Sequence, residues 1–368
     1  MPFTVIISNE VRVVVAVLVE KAFMGSMWGR NLYISLTEKL RSKRIAYVEV
    51  FDSCPAECET VFVISANFEW TQKTVRALNL SGRTPILLCN QFESLPGCIY
   101  SCVCSDINAS MRDILDLLKK EKKRAVALYG VNPNSISDLG RANSLFTWND
   151  PAIPPVEVFE NNGSLESCFQ TFLPKADSFD AVICTNDFVA VSLVRRLLRM
   201  APELLDRLTV ISCAETRLSA YYHRYITTLS VNFSQYGAAA VSIYESLKKQ
   251  DYVANMMLRI RWTLSADSQA HVALPEVSLP HNGWEDIFYS DPELRQMNIA
   301  DKLLNLADDA DCEILKRLIS GDTYQQIAEA TFLSEGSVKY RIKKMLERSG
   351  AVNKHELLTV LRDYTTQI

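Results

Sequence analysis

The sequence predicts an α/β protein with two lobes, each built on a doubly wound parallel sheet, followed by a small all-α domain. Up to about residue 275 of the 368-residue chain, short runs rich in Val and Ile alternate with stretches of helical periodicity. Strand followed by helix, repeated in this way, is typical of parallel sheets covered on both faces. From residue 308 onward only helical patterns remain, separated by residues that begin or end helices.

The strand-like runs are short and apolar, and amphipathic stretches separate them. Strands are predicted at residues 13–19, 45–51, 61–65, 85–89, 125–129, 181–184 and 209–212. Helices are predicted at residues 32–40, 71–80, 111–119 and 189–198. Ligands in open α/β sheets bind beyond the carboxyl ends of the strands, so two such sheets side by side predict a ligand cleft between the lobes.

Composition and short motifs narrow the class of protein. No apolar run is long enough to span a membrane, and residues 11–19 read as a buried strand rather than a signal peptide. We therefore expect a cytoplasmic protein without a membrane partner. The ten cysteines are scattered and the four histidines are never three or four residues apart, so we expect buried free thiols and no metal site.

Nothing in the chain indicates catalysis. The patterns GxGxxG, GxxxxGK[ST], GxSxG and HExxH are all missing from the sequence. No nucleophile is paired with a positioned base. We therefore predict a protein that is not an enzyme and that carries no cofactor.

Four short helices are predicted after residue 308 from their boundary residues. The residues that begin or end them are Asp309, Gly321, Thr323 with Gln326, Ser334, and Asn353 with Glu356. The second and third helices are separated by only a few residues, a spacing that fits a helix-turn-helix. The third helix would then be the one that enters a DNA groove.

The third helix has two different faces. Val338, Ile342 and Met345 share an apolar arc, which predicts the buried side. Residues 308–368 hold nine Lys and Arg against ten Asp and Glu, so attraction to double-stranded DNA must come from the placement of charge. A solvated basic face is the alternative. The candidate DNA-contacting residues are Ser337, Lys339, Tyr340, Arg341, Lys343 and Lys344.

This domain resembles the LuxR-type (GerE-like) helix-turn-helix. The match is carried by 313–315, Gly321, 327–328, Ser334, 337–339, Ile342 and 345–346. The resemblance implies that Lys339 and its neighbours face bases and phosphates, and that the fourth helix supplies a dimer contact. Two departures are Arg341, where many members carry His, and Gly336 in the first turn of the reading helix.

The preceding part of the chain resembles the effector-binding core of the lactose-repressor family, which has the type 1 periplasmic-binding-protein fold. The matching segments are 85–90, Asp106, 125–130, Arg141, 180–187 and 227–230 ahead of Gly237. The resemblance implies a sensing domain over 1–275, a linker over 276–307 and the helix-turn-helix domain over 308–368. Lobe 1 would hold about 11–103 and 233–252, and lobe 2 about 104–231 and 253–275.

Carried onto this chain, the family's cleft points to five ligand-binding candidates. They are Trp28, Asn90, Arg141, Asn186 and Asp187. Amides and guanidinium groups suit a sugar or other small polar effector, and an indole face can stack on it. The open alternatives are helix capping for Asp187, loop roles for the two Asn, and a surface ion pair of Arg141 with Asp138. Ala214 stands where sugar-binding members commonly carry an acidic residue.

The combined prediction is a cytoplasmic, ligand-responsive transcription regulator that binds double-stranded DNA as a homodimer. One alternative is a regulator whose lobes have lost their ligand and serve only for dimerisation or partner contacts. A phosphorylated receiver domain is disfavoured, because the first strand ends in Glu20 and Lys21 and the third in Ser65 and Ala66. An enzyme acting on a small polar substrate is the remaining alternative.

Overall fold

The computed structural model describes residues 15–51, 55, 57–90, 94–133, 135–146, 156–214, 216–249, 254–264 and 291–365. The strands are β1 (Val15–Val19), β2 (Tyr47–Val50), β3 (Thr60–Ile64), β4 (Thr84–Leu88), β5 (Ser101–Ser105), β6 (Val126–Val131), β7 (Glu157–Glu160), β8 (Ala181–Cys184), β9 (Thr209–Cys213), β10 (Ile226–Ser230), β11 (Met257–Ile260) and β12 (Thr263–Leu264).

The helices complete two α/β lobes and a helical domain. They are α1 (Lys21–Met24), α2 (Met27–Ser42), α3 (Phe68–Leu80), α4 (Ile107–Lys120), α5 (Ile136–Phe146), α6 (Leu165–Phe172), α7 (Asp187–Met200), α8 (Arg217–Ala220), α9 (Phe233–Leu247), α10 (Pro292–Leu306), α11 (Asp309–Ser320), α12 (Tyr324–Thr331), α13 (Glu335–Ser349) and α14 (Lys354–Thr365). Two short 3-10 helices follow α6 and α7.

Each lobe is built on one six-stranded sheet. The first has the order β11-β5-β4-β3-β1-β2 and the second β12-β10-β9-β8-β6-β7. All of their strand pairs are parallel except β10 with β12. The two-lobed parallel fold predicted from the sequence is thus confirmed, and all seven predicted strands are present, although residues 13 and 14 lie outside the described part.

The lobe boundaries differ from those expected. The strand β5 runs to Ser105 in the first sheet, and β11 pairs with it over Met257–Ile260. The expected assignment of 253–275 to lobe 2 is therefore wrong for β11, and only β12 joins the second sheet. The reason is that β11 supplies the backbone partners that the outer edge of β5 would otherwise lack. Residues 265–275 lie outside the described part.

The segment expected as a linker contains a packed helix. Asp291 caps α10, whose first residue is Pro292. The side chains of Met297, Ile299 and Ala300 are fully buried in one apolar cluster with the outer layer of lobe 2 and the helical domain. The predicted linker is thus corrected, because burial of these residues joins lobe 2 to the C-terminal helices. Residues 276–290 of the expected linker lie outside the described part.

The C-terminal helices begin and end almost as predicted. Asp308 rather than Asp309 caps α11, in a capping box with Asp311. Gly321 ends α11 in the left-handed conformation, and Ser334 caps α13. A capping box of Thr323 and Gln326 starts α12, and Asn353 accepts from the backbone N–H of Glu356 at α14.

Three further findings concern membrane-spanning helices, cysteines and metal-ligating side chains in the described residues. None of their helices is both long and apolar enough to cross a membrane. All nine cysteines among them are free, as predicted. Within the same part of the chain, no three His, Cys, Asp or Glu side chains are grouped so as to hold a metal ion.

Candidate functional site

A cleft of about 760 Å³ lies between the lobes. Its walls come from the carboxyl ends of strands in both sheets, where the fold predicts ligand binding. All five candidate residues, Trp28, Asn90, Arg141, Asn186 and Asp187, line it. Their contact with a ligand stays a prediction, but the structure does bring them together.

Arg141 on α5 is a buried cation. Its side chain is 3% exposed, and Nη1 donates to Asp138 Oδ1 at 3.0 Å. The guanidinium carbon lies 5.6 Å from the ring centroid of Trp262. Burial raises the pKa of Asp138, and the Arg141 charge opposes that shift. The alternative of an ion pair with Asp138 is correct for the pairing and wrong for its place, because both partners are buried rather than at the surface. Nε of Arg141 has no hydrogen-bond partner among the described residues.

Asp187 holds the loops of lobe 2 together. Its carboxylate is fully buried and accepts from the hydroxyls of Ser212 at 2.6 Å, Ser219 at 2.7 Å and Thr228 at 2.9 Å. The backbone N–H of Thr216 donates to it at 2.5 Å. Burial raises the pKa of Asp187, and these donors counter the shift. Four donors leave little acceptor capacity for a ligand.

Asn186, not Asp187, caps the helix at this strand end. The side-chain oxygen of Asn186 accepts from the backbone N–H of Val189 at 3.1 Å, and Asp187 is the first residue of α7. The capping role considered for Asp187 thus belongs to its neighbour. Because the side-chain oxygen of Asn186 accepts this hydrogen bond, its NH2 group is the part left to donate into the cleft.

Asn90 belongs to a polar network that the sequence did not indicate. The hydroxyl of Ser105 donates to Asn90 Oδ1 at 2.8 Å and lies 2.8 Å from the hydroxyl of Tyr236. The indole N–H of Trp262 donates to that same hydroxyl at 3.2 Å. The network therefore runs from Asn90, after β4, to Trp262, which lies between β11 and β12. The ring of Trp262 in turn contacts Arg141.

Trp28 stands in the first turn of α2. The helices α1 and α2 follow β1 almost directly, which brings this turn to the carboxyl end of the first sheet. The indole packs edge-on to Phe233 at a centroid distance of 4.8 Å and lies 5.8 Å from Trp262. These aromatic neighbours fix its orientation at the cleft wall.

The first turn of α10 also lines the cleft, through Asp291 and Leu294. Asp291 accepts from the backbone N–H of Leu165 at 2.8 Å. Glu293 accepts from Ser192 Oγ at 2.9 Å and from Arg196 Nη2 at 2.6 Å. Sequence reasoning placed this turn in a linker, because no local pattern shows that its carboxylates bind lobe 2.

The middle of α10 contacts both lobes. Asp301 is fully buried and accepts from the backbone N–H of Leu218 in lobe 2 at 3.0 Å. Burial raises the pKa of Asp301 to about 6, against the lowering effects of that hydrogen bond and of Arg30. Asn298 donates to the Gly25 carbonyl of lobe 1 at 3.3 Å and accepts from Arg30 Nη2 at 3.3 Å.

The helical domain is docked on lobe 2 and on α10. The helices α13 and α14 both pack against α10. Tyr364 of α14 is 2% exposed, and the guanidinium carbon of Arg195 lies 3.9 Å from its ring centroid. The hydroxyl of Tyr222 donates to the Tyr364 carbonyl at 3.0 Å, and the Tyr364 hydroxyl donates to Gln296 at 3.4 Å.

The helix α13 keeps a solvent-facing side, as predicted. Val338, Ile342 and Met345 are buried. The exposed residues on the other side include Ser337, Lys339, Tyr340 and Lys343, and Lys344 is half-buried. Two of the lysines pair with acidic residues of the same helix, Lys339 with Glu335 at 3.3 Å and Lys343 with Glu347 at 3.7 Å. Such exposed pairs are weak, so phosphate can replace the carboxylate.

Arg341 points elsewhere than predicted. Its Nη1 lies 2.8 Å from Asp308 and 2.8 Å from Asp311, both at the start of α11. These hydrogen bonds raise the pKa of Arg341 above its ordinary value. The side chain joins α13 to α11, which is a structural role. Its predicted contact with DNA is therefore not supported by this geometry.

Lys354 and Tyr324, on helices other than α13, lie beside its exposed lysines. Lys354 Nζ lies 4.5 Å from the ring centroid of Tyr324 and donates to its hydroxyl at 3.3 Å. Lys339 Nζ lies 5.6 Å from the same ring. Sequence reasoning missed Tyr324 and Lys354, because they stand on α12 and α14 and only the fold brings them beside α13.

Comparison with known proteins agrees with this arrangement. Residues 310–361 match the family model described as bacterial regulatory proteins, luxR family. No curated protein matches the chain.

Solved structures of LacI-family regulators share the fold of the two lobes. A CCPA regulator from Weissella paramesenteroides with bound glucose has 18% identity and a TM-score of 0.53, over 68% of this chain and 96% of that one. The Lac repressor bound to ONPG has 13% identity and a TM-score of 0.55, over 69% and 81%. The regulator CelR with cellobiose has 13% identity and a TM-score of 0.53, over 70% and 85%. The chain is therefore a transcription regulator that joins a LuxR-type helix-turn-helix to a core with the fold of LacI-family regulators.

Proposed function

We propose that the protein is a cytoplasmic regulator whose affinity for promoter DNA depends on a small polar effector bound between the lobes. One observation carries this proposal. The helix α10 lines the cleft with Leu294 and its capping residue Asp291, and it packs against α13, the recognition helix. An effector that touches α10 or changes the angle between the lobes would thus act directly on the element that positions the DNA-binding surface.

The cleft supports an uncharged polar effector. The charge of Arg141 is offset by Asp138 at 3.0 Å, so there is no free cation from this pair to select an anion. The polar lining includes six amide side chains, namely Asn67, Asn90, Asn132, Asn161, Asn162 and Asn186. Amides both donate and accept, which suits hydroxyl-rich molecules such as sugars. Two of the similar proteins hold sugars: the CCPA regulator in structures with glucose and with sucrose, and CelR with cellobiose.

A second candidate has the lobes serving only for dimerisation or partner contacts. Ala214 lines the cleft where an acidic side chain would offer two acceptors for hydroxyls, and Asp187 already accepts four hydrogen bonds. The distinction between the two candidates is whether anything binds. In both we propose a homodimer, with half-sites about one helical turn, or 34 Å, apart.

The effector is tested by thermal shift with a panel of sugars, nucleosides and amino acids. A ligand at 100 times its Kd should stabilise the protein by about 2.7 kcal/mol. The shift should vanish in Arg141→Met and persist in Arg207→Met, whose arginine pairs with Asp177 at the surface. A panel without any shift would favour the second candidate. Sedimentation velocity on the same samples measures the dimer.

DNA binding is tested by selecting sequences from a random duplex library with the full-length protein. Lys339→Ala should weaken binding by about 1 to 3 kcal/mol if it reads a base, or lower the salt dependence by about one phosphate contact. Arg341→Ala should leave the affinity nearly unchanged and lower the stability of the domain, because this side chain holds α11. Equal losses of affinity in both variants would contradict this division of roles.

A further inference from the structure

Three successive helices of the DNA-binding domain end on a residue in the left-handed conformation. In α11 this residue is Gly321, with φ 92°, and in α13 it is Gly350, with φ 81°. In α12 it is Phe332, with φ 56°. Glycine is the usual residue at such a position because it has no Cβ to clash with the backbone. Phe332 therefore breaks the pattern that its own domain follows.

Folding gives no reason for a phenylalanine at this position. The Phe332 side chain is 95% exposed, so its ring buries almost no apolar surface. Its neighbour Leu333 is the residue that packs against the apolar cluster of the domain. The left-handed backbone is also strained for any residue with a bulky side chain. A residue that is strained and exposed on its own is explained by a partner that covers it.

The position of Phe332 identifies the partner as DNA. It lies two residues before Ser334, whose hydroxyl oxygen accepts from the Ser337 backbone N–H at 3.1 Å and starts α13. A recognition helix enters the major groove with its N-terminal residues, so an exposed side chain in the turn before its cap lies near the edge of that groove. An uncharged ring gains nothing from phosphate. The apolar group that the groove offers is the C5 methyl of thymine, which aromatic side chains contact.

We propose that Phe332 is a specificity-determining residue that packs against a thymine methyl group beside the recognition helix. The proposal rests on the proposed DNA binding and adds a preference for thymine at one position of each half-site. In this proposal, the lysines of α13 contact some bases, and Phe332, in the turn before that helix, contacts a base next to them.

The first test uses full-length Phe332→Gly and Phe332→Asn on the duplex selected by the wild-type protein. Both replacements suit the left-handed conformation, so their thermal midpoints should equal or exceed that of the wild type. Fluorescence anisotropy should nevertheless show affinity about tenfold weaker. Val352→Ala is the matched control, because that side chain is 76% exposed at the opposite end of α13 and should not change the affinity.

The second test removes the methyl group instead of the ring. Each thymine of the selected site is replaced in turn by deoxyuridine. Wild-type protein should lose affinity at one position per half-site, and Phe332→Gly should be insensitive at that position. Equal affinity of Phe332→Gly and wild type would overturn the proposal, as would an unchanged response to every replacement. Reduced transcription with unchanged DNA affinity would assign the ring to RNA polymerase and also overturn it. Failure of the wild-type protein to select any duplex would instead overturn DNA binding itself.

Discussion

The two lobes hold the DNA-binding part of the molecule in different ways. Lobe 2 shares one apolar cluster with α10 and the helical domain. It adds hydrogen bonds to Asp291, Glu293 and Asp301 along the length of α10. Lobe 1 contacts α10 through a polar side chain, Asn298, with two hydrogen bonds of 3.3 Å. Two apolar clusters contain residues of the first sheet, and one of them also includes inner residues of the second sheet. Neither cluster contains a residue of α10.

This asymmetry indicates which motion the DNA-binding domain can sense. Apolar burial over a large surface makes lobe 2, α10 and the helical domain one unit. Lobe 1 meets this unit at α10 through polar groups, Asn298 with the Gly25 carbonyl and Arg30. An effector that changes the angle between the lobes would then alter the contacts of Asn298 while the docked domain follows lobe 2. Coupling of this kind typically amounts to about 1 to 3 kcal/mol.

The variant with the largest predicted cost removes Tyr364, the side chain of α14 that packs on Arg195 of lobe 2. Tyr364→Ala should cost about 3 to 5 kcal/mol, because it empties a buried site and leaves Arg195 without its ring. We expect the wild-type protein to unfold with lobe 2 and the helical domain in one calorimetric transition. In the variant the helical domain should unfold separately and at lower temperature.

The control for this variant is Tyr340→Ala, which removes a tyrosine that is 67% exposed on α13. It should leave the calorimetric trace unchanged. If Tyr364→Ala still unfolds in a single transition, the shared apolar cluster does not make these parts one cooperative unit.

A second prediction concerns the pH dependence of stability at Asp301, which binds α10 to lobe 2 through the Leu218 amide. Its pKa is raised from 3.8 to about 6 in the folded protein. The folded state therefore binds a proton more tightly than the unfolded chain between these values, so this group adds stability as pH falls through 6 towards 3.8. At about 1.4 kcal/mol per unit, the effect is at most about 3 kcal/mol.

Asp301→Asn should remove this dependence, because the amide stays uncharged. Urea unfolding between pH 7.5 and 4.5 should give the variant a larger free energy of unfolding than the wild type at high pH. This difference should become smaller below pH 6. Asp177→Asn, with a side chain that is 93% exposed, is the control and should follow the wild type. A constant difference at all pH values would contradict the assignment.

Local patterns were enough for much of the fold and for part of the site. Runs of Val and Ile located the inner strands, and the caps at Thr323 and Ser334 located α12 and α13, because both signals depend on neighbouring residues. The strand β5 was missed because its sequence, Ser-Cys-Val-Cys-Ser, has little β-branched character. The helix α10 was missed because the partners of Asn298 and Asp301 come from distant segments, so their burial leaves no periodic signal.

The smallest expected effect concerns the lobe 1 contact. Asn298→Ala should cost only about 1 kcal/mol, because the Gly25 carbonyl keeps its 2.8 Å hydrogen bond from Arg30 Nη1. Hydrogen exchange should become faster at residues 25–30 of lobe 1, while the Leu218 amide bound to Asp301 stays protected. Asn305→Ala is the control for the lobe 1 readout, because the hydrogen bonds of Asn305 in the described part of the chain go to Asp301 on the same helix, so exchange at residues 25–30 should not change. Faster exchange at Leu218 in Asn298→Ala would mean that α10 depends on both lobes equally, and the difference between them would not be the basis of signalling.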